Sequence, residues 1–163
     1  MATPIVMLVL LMVPYGLVRR ASAITGRNFN ARGAAAIGLG ILFVFTGLGH
    51  FVQAEPMALM LPPWIPARVP LMYLTGVLEF AVAAGFFLEA TRRLTGWVAA
   101  AILLLFFPLN IYAAINHVPM GGHEWGPVYL LIRAPLQLII LLWVYWFTIR
   151  QPNAERVASA SQI

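Results

Sequence analysis

Five apolar runs, separated by short polar segments, limit what this sequence can fold into. Four of them hold 19 to 22 residues, close to the roughly 20 that a helix needs to cross the hydrocarbon core of a bilayer, and the first is shorter. Of the 163 residues, 62% are hydrophobic and only 9% are charged, an apolar surplus that a soluble domain does not need. We therefore expect an all-α, polytopic membrane protein with spans at Pro4–Val18, Gly33–Val52, Leu71–Glu89, Gly96–Asn116 and Val128–Ile149.

The composition excludes several classes of function. The chain has no cysteine, so it can form no disulfide, thiol redox centre or thiolate metal site. All ten basic residues are arginine and the net charge is +5, but most of these arginines lie in short loops between the apolar runs. Arginines in such loops set the topology of a membrane protein and contact anionic lipid. The lipid bilayer, and not nucleic acid, is therefore the expected partner.

The positions of the arginines predict the direction of the helices. In the first run Arg19 and Arg20 follow the apolar core, whereas a cleaved signal peptide carries its positive charge before that core. An uncleaved helix with its N-terminus outside is expected, which gives five spans, N-out and C-in. This orientation leaves only Arg68 in an outer loop, in agreement with the positive-inside rule. The arginines on the cytoplasmic side are then Arg19, Arg20, Arg27, Arg32, Arg92, Arg93, Arg150 and Arg156.

Two connecting segments have a composition of their own. Arg19–Arg32 is predicted to be a basic loop, because it holds turn-forming residues and no acid. Ala54–Pro70 contains five prolines, a density that prevents a regular helix. The hydrophobic residues between those prolines predict a segment in the membrane interface, anchored by Trp64.

Glu79, at the middle of the third apolar run, is the residue that most needs an explanation. An ionised carboxylate is costly inside a bilayer, so it is usually paired, neutralised or turned toward a cavity. From the rise of about 1.5 Å per residue, His50, Asn110 and Arg133 lie within one or two turns of the outer ends of their helices. Glu79 and Gln137 lie roughly 12–15 Å deep. All five are therefore expected at or above the middle of the membrane.

Helical periodicity brings further polar residues to the same faces. Residues four or seven apart share one face of a helix, and four pairs have this spacing. Four helices thus present polar stripes at similar depth, which predicts one shared cavity. The pairs are Thr46 with His50, Thr75 with Glu79, Arg133 with Gln137, and Asn110 with His117.

We interpret these residues as an outward-opening polar pocket built around a Glu79–Arg133 ion pair. Glu79 and His50 are the candidate catalytic residues, since both can exchange protons. The candidate ligand-binding residues are Arg133, Asn110, Gln137, Thr75 and His117. The alternative is that the polar side chains fasten the bundle. It is the favoured interpretation for Asn110, Thr46, Thr75 and Gln137 taken singly.

No metal site is predicted. His117, His123 and Glu124 could join His50 around a metal ion, but their spacing matches no compact ligand motif.

Five short blocks are spread over about Gly33–Ile149: Gly47–Phe51, Met60–Pro66, Thr75–Glu79, Phe107–Tyr112 and Arg133–Gln137. In their order and spacing they resemble the DoxX-like membrane proteins. The resemblance implies a four-helix transmembrane bundle formed by the second to fifth spans, with the first helix as an addition. It divides the chain into an N-terminal helix with its basic loop (1–32), a four-helix membrane domain (33–150) and a flexible cytoplasmic tail (151–163).

The resemblance also implies a function. It favours a membrane subunit of an oxidoreductase or respiratory-type system that binds a quinone or a similar amphipathic ligand, in a bacterial cytoplasmic membrane. The chain has no electron carrier of its own, so a cofactor or another membrane or redox subunit would supply it, and a homo-oligomer stays open. The competing interpretations are a non-catalytic assembly factor or scaffold and, less favoured, a small transporter, since no inverted repeat is visible.

Overall fold

The five apolar runs become five helices that are long and apolar enough to cross a membrane. A computed structural model describes residues 2–150, so the predicted cytoplasmic tail (151–163) lies outside the described residues. The prediction of an all-helical protein with five candidate spans is confirmed for the described part of the chain, as expected of an integral membrane protein. The helices are α1 (Ala2–Thr25), α2 (Ala31–Val52), the short α3 (Ala54–Ala58), α4 (Arg68–Phe87), α5 (Arg92–Ile115) and α6 (Leu130–Val144).

Three shorter helical segments complete the chain. A 3-10 turn (Glu89–Thr91) joins α4 to α5, and a longer 3-10 segment (His123–Tyr129) leads into α6. A π-helical turn (Tyr145–Ile149) continues α6 to the end of the described chain. The third span therefore ends at Phe87 as an α-helix, two residues before the predicted boundary at Glu89.

The predicted basic loop Arg19–Arg32 is wrong in extent. Helix α1 continues through Arg19 and Arg20 to Thr25, because no proline or glycine lies between Arg19 and Gly26. Gly26 ends the helix in a left-handed conformation with φ at +68°, a role that suits glycine. The loop that remains is short, and the Asn30 side chain caps α2 by accepting a hydrogen bond from the Gly33 amide at 2.8 Å.

The proline-rich segment Ala54–Pro70 is also more ordered than its composition predicts. It contains α3, and it ends inside the first turn of α4, where Pro70 lacks an amide that the helix would leave unpaired anyway. The remainder forms turns. A small apolar cluster at the start of α4 packs this segment against the bundle, and its buried members are Ala54, Ala58, Leu61 and Met72.

Helix α2 is the centre of the packing. In the most apolar 18-residue stretch of α2, 50% of the residues are buried, whereas in that of α1 only 11% are buried. Helix α1 is therefore the peripheral helix. Even so, α1 belongs to the same core, because Leu11 is fully buried and its carbonyl oxygen lies against Gly38, where a larger residue would clash. The largest fully buried side chains are Phe86, Leu11, Leu39, Ile140 and Val144.

Contacts at the two ends of the bundle show that successive long helices alternate in direction. At one end, the start of α5 meets the end of α4 and the turn after α6, because Gly96 lies against Thr148 and Gly85 against Thr95. Arg32, at the start of α2, also contacts that turn. We call this the arginine end. The opposite end, formed by the start of α1, the end of α2, the start of α4, the end of α5 and the start of α6, is the cavity end.

Candidate functional site

A cavity of about 820 Å³ lies at the cavity end and is lined by residues from all five long helices. Polar residues of separate helices, His50, Glu79, Asn110 and Arg133 among them, line this one cavity. Its polar lining includes Thr46, His50, Thr75, Glu79, Asn110, His123, Tyr129 and Arg133. Most of the remaining lining is apolar, and five of the chain's seven methionines belong to it: Met7, Met57, Met60, Met72 and Met120.

His50 and Glu79 are the two ionisable side chains that lie closest together in the cavity. His50 Nε2 lies 3.7 Å from Glu79 Oε1, and the two residues are only 9% and 6% exposed. Glycines make this approach of α2 and α4 possible. A Cβ added to Gly76 would lie 2.5 Å from the Phe51 ring and 3.1 Å from His50 Cβ. The side chains of the pair therefore meet because two helix backbones come close.

The predicted Glu79–Arg133 ion pair is not formed. Within the described chain, two pairs fall within 4.0 Å: His50 with Glu79, and Arg92 with Glu89 at the protein surface. Arg133 instead donates through Nε to Asn110 Oδ1 at 3.0 Å, and its Nη1 lies 3.9 Å from Met7 Sδ. The physical reason is the packing of the helices, which places His50 of α2 next to Glu79 and Asn110 of α5 next to Arg133. Glu79 and Arg133 still line the same cavity.

The other predicted ligand-binding residues have different positions. Asn110 lines the cavity and donates through Nδ2 to the Phe106 carbonyl oxygen at 2.8 Å. Thr75 also lines the cavity, while its hydroxyl group donates to the Leu71 carbonyl oxygen at 2.8 Å. Both side chains can still accept a hydrogen bond from a ligand, because a hydroxyl oxygen and an amide oxygen each have two lone pairs.

Gln137 and His117 are not brought into the cavity. Gln137 is buried and donates to the Leu103 carbonyl oxygen at 2.6 Å, so it fastens α6 to α5. His117 is exposed, and its Nδ1 lies 3.1 Å from the Glu124 carbonyl oxygen. Asn110 and His117 do not share one helical face as their spacing predicts, because α5 ends at Ile115 and His117 adopts a left-handed backbone with φ at +52°.

His123 is a cavity residue that sequence reasoning considered only as a metal ligand. It is 4% exposed, its Nδ1 lies 2.7 Å from the Met120 carbonyl oxygen, and its ring packs edge-on against Tyr129 with centroids 4.9 Å apart. The preceding Gly121 and Gly122 both have positive φ and turn the chain back toward α6. That glycine pair was the one available signal for a tight turn at this position.

Three buried polar atoms of the cavity residues have no hydrogen-bond partner within the described chain. They are His50 Nδ1, Glu79 Oε2 and His123 Nε2. Polar atoms in this situation are rare in folded proteins, because each unmade hydrogen bond costs about 1–3 kcal/mol. The described residues contain no group of three His, Asp or Glu side chains that could hold a metal ion.

The family model for a domain of unknown function (DUF8561) matches residues 39–148. The chain belongs to this family. The matched region contains every polar residue named above for the cavity, whereas the whole of α1 lies before it. No curated protein and no solved structure matches the chain.

Proposed function

We propose that this protein binds a small amphipathic molecule in the cavity and serves as a membrane subunit of an oxidoreductase-type system. The observation that carries the proposal is the set of three unpartnered polar atoms on His50, Glu79 and His123, all residues of one cavity. A bundle that needed only fastening would satisfy such atoms or replace them with apolar groups. A ligand with a polar head can instead satisfy them.

The lining suits a molecule with two chemically different parts. The polar head would lie among His50, Glu79, His123 and Arg133, and the apolar body would contact the methionine and leucine side chains of α3 and the start of α4. A volume of about 820 Å³ falls within the range of small-molecule sites. The resemblance to DoxX-like proteins supports a quinone as the candidate ligand.

In this proposal the charged groups of the cavity have separate roles. Glu79 and His50 exchange protons with the bound head, and Arg133 orients it. Electrons pass to or from a partner subunit, because the chain contains no thiol redox centre. A bacterial cytoplasmic membrane is the proposed location, with the cavity end on the outer side, as the arginine distribution favours.

The test measures the binding of three probes to the protein. Benzoquinone carrying a decyl chain, in its oxidised and reduced forms, is titrated into purified protein in nanodiscs, with decylbenzene as the probe that lacks oxygen. We expect at least one oxygenated form to bind about tenfold more tightly than decylbenzene, which corresponds to one net hydrogen bond. Equal binding of all three probes would contradict the proposal.

Two glycines offer a matched pair of variants. Gly49 lines the cavity, Gly16 lies on α1 away from it, and an added Cβ would meet no atom within 4 Å at either position. Gly49→Phe should fill the cavity and abolish binding of every probe, whereas Gly16→Phe should leave binding unchanged. If neither variant affects binding, the ligand is held elsewhere.

Exchange of Glu79 separates this proposal from a scaffold role. Glu79→Gln keeps the shape of the side chain and removes its titration, so it should abolish proton-coupled turnover in membranes that contain the partner subunit. Glu89→Gln is the control, because that carboxylate is 82% exposed and faces Arg92 at the arginine end. Full turnover with Glu79→Gln, together with unchanged assembly of the partner, would favour the scaffold.

A further inference from the structure

We infer that the cavity recognises a head group that donates a hydrogen bond, such as a hydroxyl, and that His123 accepts this hydrogen bond. This inference rests on the proposed function and names the chemical class of its ligand. Applied to a quinone-type molecule, it means that the hydroquinone binds more tightly than the quinone.

The hydrogen bond to the Met120 carbonyl oxygen determines which nitrogen of His123 carries the proton. A carbonyl oxygen can only accept, so the contact at 2.7 Å requires a hydrogen on Nδ1. A neutral imidazole has one hydrogen, and Nε2 is then a bare acceptor. Nε2 is also buried and has no partner within the described chain. A ligand that contacts it must therefore bring a donor.

The surroundings hold the ring in this orientation. Tyr129 packs against it, and Gly122, with φ at +108°, leaves the space that Tyr129 occupies, since an added Cβ would lie 2.5 Å from the Tyr129 ring. The Glu124 carboxylate accepts a hydrogen bond from the Gly122 amide at 3.1 Å and fixes the turn. Reversing the ring would cost the Met120 hydrogen bond, so the acceptor at Nε2 is built into the fold.

The other unpartnered atoms have the same preference. His50 Nε2 lies 3.7 Å from Glu79 Oε1. In the neutral tautomer that carries its hydrogen on this nitrogen, Nδ1 is an acceptor. An ionised Glu79 only accepts, so Oε2 adds a third acceptor. The donors that line the cavity include Arg133, whose Nε is already bonded to Asn110, and the side chains of Gln53 and Tyr129. A hydroxyl group can accept from Arg133 and donate to an acceptor, whereas a quinone carbonyl can only accept.

The experiment compares three molecules that share one ring and one decyl tail. Decyl-hydroquinone has two donors, decyl-benzoquinone has none, and the dimethyl ether of the hydroquinone has none and cannot be oxidised. Binding to the purified full chain in nanodiscs is measured without oxygen. We expect the hydroquinone to bind five- to tenfold more tightly than the quinone and than the ether, because one hydrogen bond to His123 is lost in each case.

A variant of His123 tests the assignment of the residue. His123→Phe keeps an aromatic ring against Tyr129 and removes the acceptor, so the preference for hydroquinone should disappear while the three probes still bind. His123→Gln, which retains an acceptor oxygen, should recover part of the preference and covers the case in which the phenylalanine variant does not fold. An unchanged preference in both variants would overturn the role of His123.

The outcomes also separate this inference from the proposed function. If hydroquinone and quinone bind equally, or the quinone binds more tightly, the inference is wrong and the binding function stands. If none of the three molecules binds better than decylbenzene, both are wrong. A decyl glycerol ether extends the comparison to the aliphatic hydroxyls of lipids. If this ether binds more tightly than the hydroquinone, the cavity still recognises a hydrogen-bond donor, and the ligand belongs to the lipid alcohols.

Discussion

The two ends of the bundle use polar side chains in opposite ways. At the arginine end, they donate to main-chain carbonyl oxygens where helices terminate. Arg92 donates through Nε to the Phe86 carbonyl oxygen at 3.0 Å, and Thr148 donates to that of Val144 at 2.6 Å. At the cavity end, three buried polar atoms are left without a partner in the described chain.

Arg32 is the clearest case at the arginine end. Its Nη2 donates to the carbonyl oxygens of Trp146, at 3.1 Å, and of Arg150, which the π-helical turn leaves available. A cation at a helix C-terminus is also favoured by the helix dipole. The Arg150 guanidinium in turn lies 4.4 Å from the centre of the Trp146 ring. These contacts of Arg32 and Arg150 hold the arginine end together.

The difference teaches how a structural polar residue can be told from a candidate functional one in a membrane bundle. A structural residue has its hydrogen-bonding groups satisfied by nearby backbone, as Arg92 does. A candidate functional residue is held in place by packing, as His123 is, and retains an atom that the protein does not satisfy. Substitutions at the two ends should therefore have opposite effects on stability and on binding.

The largest effect on stability is expected at Gly96, at the arginine end. An added Cβ there would collide with the Thr148 hydroxyl and lie 3.0 Å from Ile149 Cγ1. We expect Gly96→Ala to lower the free energy of unfolding in detergent by up to about 3 kcal/mol, the upper range for overpacking. The control is Gly49→Ala at the cavity end, where an added Cβ would have no atom within 4 Å. Because alanine favours a helix, that variant should be neutral or stabilised by up to about 1 kcal/mol. Equal melting of the two variants would break the comparison.

Arg32→Ala should have the next largest effect. It removes a charged donor from two carbonyl oxygens, and hydrogen bonds to charged groups contribute about 1.5–3 kcal/mol, so a loss of about 2 kcal/mol is expected. Arg27→Ala, in the exposed loop between α1 and α2, should stay within about 0.5 kcal/mol of the parent protein. Thermal melts in detergent measure both. A stable Arg32→Ala protein would show that this arginine serves the membrane interface alone.

At the cavity end, the double variant His50→Leu with Glu79→Leu should separate stability from binding. Replacing a buried pair of ionisable side chains with apolar ones is often neutral or stabilising, and a gain of about 1 kcal/mol is expected. The affinity for the hydroquinone should fall by about tenfold, because two of the three acceptors are gone. A large loss of stability would instead mean that the pair is a structural element, like those of the arginine end.

The smallest effect is expected for Gln137→Leu. This side chain makes one hydrogen bond between α6 and α5, and such interhelical bonds in membrane proteins contribute about 0.6 kcal/mol on average. Affinity for the decyl probes should not change, since Gln137 is outside the cavity. A measurable loss of affinity would extend the binding site one helical turn deeper than the cavity described above.

Much of the site could be predicted because depth and helical face follow from spacing alone. His50, Glu79, Asn110 and Arg133 reach one cavity since each lies on an apolar helix at a similar distance from the same end. Which of them pair could not be predicted. Pairing depends on differences of a few ångströms between helices, and here glycines such as Gly76 bring α2 close enough to α4 for His50 to reach Glu79.

The rest of the site lies where periodicity gives no information. His123 follows a turn whose direction depends on the positive φ angles of two glycines, so its entry into the cavity is a tertiary effect. His117 left the predicted face because its helix ends two residues earlier. Thr3 and Met7 of α1 also line the cavity, although α1 appeared from the sequence to be only an addition to the bundle.

The methionines of the cavity wall have a consequence for ligand range. A thioether side chain is unbranched and polarisable, so a wall made of five of them can reshape around bodies of different length and width. Discrimination would then reside in the fixed imidazole and carboxylate groups, while the apolar portion of the ligand is tolerated broadly. Isotope-labelled methionine methyl groups would report this plasticity directly, as resonances that shift with each homologous tail.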